Sequence, residues 1–156
     1  MRLLRSNFLQ MYFVIFLLIV AVFSWFSIDI LPSPVDAGAS AEVFSAERAI
    51  KHVKRIASKP RPLGSPAAEA SREYIMSELE KLGCQSSLQS ETGVTIISGV
   101  INAAPVHNII CVLKGSRSDA VMLMSHYDSV HNSPGAADSA AGTSILLESA
   151  RAIQSK

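Results

Sequence analysis

The chain has 156 residues, a formal net charge of +1 and a hydrophobic content of 49%, which suits one domain with a sizeable core plus an apolar segment. A near-neutral charge, with no Lys/Arg run and no interleaving of basic and aromatic residues, excludes a nucleic-acid surface of the usual electrostatic kind. Much of the apolar excess sits in one block at the N-terminus.

That block, Phe8 to Ile28, carries no charge, and only Gln10, Ser24 and Ser27 are clearly polar. As a helix it rises about 30 Å, close to the hydrocarbon thickness of a bilayer. Arg2 and Arg5 precede it, whereas Asp29, Asp36 and Glu42 are the first charges after it. The positive-inside bias then predicts a single-pass anchor with a cytoplasmic N-terminus (residues 1–30) and the rest of the chain on the periplasmic, extracellular or lumenal side. A cleaved signal peptide is the competing reading, since "AGASA" at Ala37–Ala41 offers small-residue sites, but these lie well beyond an unusually long apolar stretch.

Residues 31–41, "LPSPVDAGASA", have the composition of a linker, which leaves 42–156 as the domain. A helix is predicted from Ser45 with an apolar stripe of Ala49, Ile50, Val53 and Ile56/Ala57, and its His52 reads as a surface residue. "KPRPLGSP" interrupts the pattern, and a second helix starts with Ser65 as N-cap and Pro66 at its first position. It should end at Leu82, where Gly83 supplies a left-handed stop. Cys84 and Cys111 follow: in an exported domain they suit either a disulfide or two buried thiols.

Four β-rich runs come next, "CQSSLQS", "VTIISGVI", "HNIICVLKG" and "AVMLMSH". The last is apolar on both faces, as an interior strand covered by helices would be. His126 then stands at the C-terminal end of a central strand, where open α/β sheets place their sites. A final helix follows, with Ile145, Leu146, Ser149/Ala150 and Ile153 at a helical period. Between strand and helix, "MSHYDSVHNSPGAADSAAG" brings His126, Asp128 and Asp138 around one turn. An imidazole and two carboxylates in that arrangement suit a cation such as zinc.

The ordered set "RPLGSP", "VHNIICVLKG", "HYDSV" and "SPGAADSAAG" resembles metallopeptidase family 28, the co-catalytic zinc aminopeptidases, and its membrane-bound endoplasmic-reticulum branch in particular. The resemblance implies an α/β three-layer sandwich around a mostly parallel mixed sheet, and an exopeptidase that uses two zinc ions and a metal-activated water on peptide substrates. It implies His126 as a terminal ligand to one zinc and Asp138 as the carboxylate bridging both. It further implies that Asp128 orients His126, and in the family the peptide bond after the bridging Asp is often cis.

Ser139 departs from the second Asp common at that place in the peptidases and is similar to the related glutaminyl cyclases, which use a single zinc. The Glu-Glu pair, the further acidic ligand and the distal His of the family mechanism have no match: Glu78 and Glu80 lie on a helix face, His107 leads into another strand, and His131 reads as solvent-exposed. The sequence therefore reads as the N-terminal part of such an enzyme, with a sheet of at most four or five strands that is incomplete at the C-terminus, and inactive by itself. A glutaminyl-cyclase-like enzyme and a non-catalytic membrane-tethered module are the alternatives.

Overall fold

A computed structural model describes residues 2–28 and 32–155, which fall into two compact units, Met1–Ser33 and Pro34–Lys156. The first unit contains α1 (Arg2–Ile28), long and apolar enough over Gln10–Ser27 to cross a membrane. The second begins inside the expected linker. Arg48 explains why: its guanidinium donates to the carbonyls of Ala37 (2.7 Å), Ala39 (2.9 Å) and Val43 (2.6 Å) and so gathers that segment into a fixed loop.

Helix α2 (Ala46–Ile56) starts at Ser45, whose hydroxyl accepts from the Arg48 N–H at 3.2 Å. Helix α3 (Pro66–Lys81) starts the same way on Ser65 and Pro66, and Gly83 takes a positive φ of 72° just beyond it. Both starts follow from the side-chain oxygen satisfying an N–H that the first helical turn leaves free. The last helix, α4 (Ala141–Gln154), does not bury the stripe its sequence suggests. Thr143, Ser144, Leu147, Glu148 and Ala152 face inward, while Ile145 and Ile153 are exposed.

Glu148 accounts for that rotation. Its side chain is fully buried and accepts from Arg48 Nε (3.0 Å), Arg151 Nε (2.7 Å) and the Ser45 N–H (2.9 Å), tying α4 to the start of α2. A buried carboxylate demands such partners, so the charge cluster rather than the apolar period sets the inward face.

Among the described residues the sheet is one antiparallel hairpin, β1 (Ser87–Ile97) and β2 (Val100–Ile110), in register from Ser87↔Ile110 to Ile97↔Val100, and it holds two of the four or five strands expected of the mostly parallel mixed sheet. Ser98 and Gly99 both adopt positive φ, 51° and 78°. That is the two-residue turn whose twist matches paired strands, and it folds the expected second run back on itself. Residues 120–125 form no strand and pair with none, and Val121 and Met124 are 89% and 80% exposed. An apolar run becomes an interior strand only with a ladder partner on each side.

The core forms where the helices meet the base of β2. Ile56, Ile75, Leu79, Cys84, Ala140 and Leu147 are buried together, with Tyr74, Ile109, Cys111 and Tyr127 partly buried against them. Cys84 and Cys111 are joined as a disulfide within this core. The bond closes a loop from the end of α3 to the end of β2 and so fixes the hairpin to the helical layer. His52 is half-buried rather than free at the surface, with Nδ1 2.7 Å from the Tyr74 hydroxyl, and burial pushes its pKa down.

Candidate metal centre

From His126 the chain runs through a loop that returns by way of Gly135 to α4. The return is a kinked turn, Ala136–Ala140, in which Asp138 (φ −121°, ψ 92°) and Ser139 (φ −129°, ψ 39°) leave helical geometry and the Asp138–Ser139 peptide is cis. Gly135 opens the turn at φ 57°, and a Cβ there would collide with the Asp138 carbonyl and lie 2.9 Å from Ser129 Cβ. No other residue type fits that position without moving the loop.

The kink turns Asp138 outward and Ser139 inward. Ser139 Oγ lies 2.8 Å from Ser125 Oγ, and Thr143 Oγ1 donates to the His126 carbonyl at 2.9 Å. A Cβ on Gly142 would sit 2.5 Å from both serine hydroxyls, so any side chain there would force Ser125 and Ser139 to move. Ser139 thus reinforces the floor of the site. Its departure from a second Asp changes a half-buried contact and removes no donor from the open face.

On that open face three predicted residues come together. His126 Nε2 lies 2.9 Å from Asp138 Oδ1, and His126 Nδ1 lies 3.3 Å from Asp128 Oδ1. Side-chain exposure is 52% for His126, 89% for Asp138 and 31% for Asp128. A carboxylate only accepts. With the Nδ1 proton directed to Asp128, the Nε2 lone pair faces another acceptor, and the pair is held together only by a proton or a cation between them. The donor set therefore fits a zinc ion, which takes imidazole nitrogen and carboxylate oxygen. The carboxylate behind the imidazole matches the outer partner that metal-bound histidines usually have.

The fit is partial. Among the described residues no group of three or more His, Cys, Asp or Glu converges as a full ligand set, against the three or four protein donors of a usual zinc site. His107 is engaged at 2.9 Å with Ser90 on the hairpin, and His131 is exposed and outside the cluster's hydrogen bonds.

Sequence reasoning missed Arg61. This residue of the "RPLGSP" segment is 0% exposed, and its guanidinium donates to the carbonyls of Tyr127, Pro134 and Gly135 (the last at 3.2 Å). Its main chain pairs with Ser129: the Arg61 N–H donates to Ser129 Oγ at 2.9 Å, and the Ser129 N–H donates to the Arg61 carbonyl at 3.1 Å. Burial pushes the Arg61 pKa down, and the negative charge of Asp128 opposes this. The only signal in the sequence was an arginine held between two prolines.

The sequence profile described as Peptidase family M28 matches residues 108–156. A protein of Schizosaccharomyces pombe named endoplasmic reticulum metallopeptidase 1 is 30% identical over 97% of this chain and 22% of its own length. A vacuolar membrane protease of Schizosaccharomyces japonicus is 32% identical over 67% of this chain and 14% of its own. The chain thus spans less than a quarter of the length of either relative. Among solved structures, a glutaminyl cyclase of Porphyromonas gingivalis superposes with a TM-score of 0.61 at 28% identity, covering 72% of this chain and 41% of that one. A Zn-dependent exopeptidase from Parabacteroides distasonis gives 0.63 at 27% identity, covering 75% and 44%.

Proposed function

This chain belongs to peptidase family M28, and from that premise we propose that it serves a membrane-anchored, zinc-dependent exopeptidase that removes N-terminal residues from peptides. The observation that carries this reading is His126 set between Asp128 and Asp138 on an open face. His126 Nε2 and Asp138 would hold zinc, and Asp128 would keep the imidazole in the tautomer that leaves Nε2 free to bind. Asp138, the most exposed of the three, leaves its carboxylate open toward solvent, as a carboxylate bridging two ions requires. When bound, zinc supplies Lewis acidity that polarises a scissile carbonyl and acidifies water. The loop's task is to present these donors in a fixed geometry next to the arriving peptide.

Purified with its anchor, the full-length gene product should release free amino acids from short peptides with unblocked N-termini and leave N-acetylated peptides intact. Cleavage at internal bonds only would overturn the exopeptidase reading. The likeness to glutaminyl cyclases and the Asp138–Ser139 dipeptide favour one alternative. Ammonia released from glutaminyl peptides of unchanged length would establish it.

Arg2 and Arg5 before the uncharged span, together with the Cys84–Cys111 disulfide, support placing the domain in an oxidising compartment across the membrane from the N-terminus. A reporter active only outside the cytoplasm should work when fused after Lys156. Activity of a cytoplasm-only reporter at that position would reverse the orientation.

A further inference from the structure

We infer that Arg61 is a positioning residue of the metal centre, setting the loop that carries Asp128 and leads to Asp138; the inference rests on the zinc reading above. The guanidinium bridges the two ends of that loop. One contact is the carbonyl of Tyr127, between His126 and Asp128, and the others are the carbonyls of Pro134 and Gly135, where the chain turns toward Asp138. The backbone pairing of Arg61 with Ser129 adds a fourth and a fifth hydrogen bond to the same loop.

Three properties separate this from ordinary packing. Arg61 is wholly buried, so its charge is stabilised by those carbonyls and by the Asp128 carboxylate rather than by water. Every carbonyl it reaches belongs to the loop carrying the site, and none to the helices of the core. Pro60 and Pro62 flank it: the preceding proline restricts its own φ, and the following one confines Arg61 to extended conformations, so the clamp is rigid on the side from which it reaches. Without it, the loop would retain the Ser129–Ser133 contact at 2.8 Å and the hydroxyl floor beneath His126, and Asp128 would be free to swing away from the imidazole. Lysine keeps the charge but offers a point donor where a planar fork spans three carbonyls.

The test uses the 156-residue chain in detergent micelles, comparing wild type with Arg61→Lys. Amide hydrogen exchange in residues 127–137 should quicken at least about tenfold in Arg61→Lys, with α2 and α3 unchanged. In a zinc titration followed by the ring signals of His126, the midpoint should rise about 10- to 100-fold, the range seen when an outer partner of a ligand is lost. Glu148→Gln, which loosens the tie between α4 and the start of α2 and leaves every Arg61 contact in place, should leave that midpoint where it is. Ser129→Ala, which removes one part of the clamp, should shift it in the same direction as Arg61→Lys by less, and it replaces Arg61→Lys if that variant does not fold. An equal rise in Glu148→Gln would reduce Arg61 to a general stabiliser and overturn the inference. If zinc moves the His126 signals in no protein, wild type included, the zinc reading fails. Exchange rates then decide for Arg61 alone, and unchanged rates in residues 127–137 refute it.

Discussion

Replacing Asp138 with Ala should abolish peptide turnover, while Asp128→Ala should lower it about 10- to 100-fold. The difference follows from position. Asp138 faces His126 Nε2 from across the open site at 2.9 Å and would supply charge to the proposed ion itself. Asp128 lies 3.3 Å from the other ring nitrogen and would affect that ion only through the imidazole. His126→Ala should approach the Asp138 result. His131→Ala, exposed and outside the cluster, should match wild type. Steady-state release of N-terminal residues by the full-length gene product measures all four, and undiminished turnover in Asp138→Ala would remove it from the metal site.

The second large effect is on stability in acid. Burial pushes the Glu148 pKa up, but hydrogen bonds from Arg151, the Ser45 N–H and Arg48 outweigh it and hold the carboxyl at about 2, below an ordinary value of 4.5. A folded-state pKa below the unfolded one means that the stabilisation is complete above pH 4.5 and is lost as pH falls from there toward 2. At about 1.4 kcal/mol per unit, roughly 3 kcal/mol is at stake. Glu148→Gln should therefore cost about 3 to 5 kcal/mol at neutral pH, because it leaves Arg48 and Arg151 facing a neutral group. The gap between wild type and variant should close as pH drops below 4.5. Urea denaturation from pH 7 to pH 3 reads this directly, and a gap that stays constant would show that Glu148 carries no special charge interaction.

Local signals in the sequence located the helices well and the pairing of strands poorly. Ser45, Ser65, Pro66 and Gly83 each act within a few residues of chain, and the structure uses each in the role its chemistry suggests. The hairpin turn at Ser98–Gly99 was hidden because an apolar run surrounds it and Ser is an uncommon residue at positive φ. Cys84 and Cys111 left two readings open, since only the packing of α3 on the base of β2 brings them together. Arg61 and Glu148 escaped notice for a shared reason. A charged residue reads as solvated unless its partners are known, and apart from Arg151 the partners of both lie 66 to 103 residues away along the chain. His126, Asp128 and Asp138 were legible because one short loop carries all three. What the loop alone could not reveal was how it is held: by Arg61 on one side, and by Ser125, Ser139 and Thr143 underneath.

Zinc binding by His126 and Asp138 is tested directly by anomalous diffraction at the zinc absorption edge, from crystals of the full-length gene product grown with zinc. A peak is expected within bonding distance of His126 Nε2, at about 2.0–2.1 Å, and of an Asp138 oxygen, at about 2.0–2.2 Å, with Asp128 still on His126 Nδ1. Zinc bound elsewhere, with His126 and Asp138 still in direct contact, would contradict it.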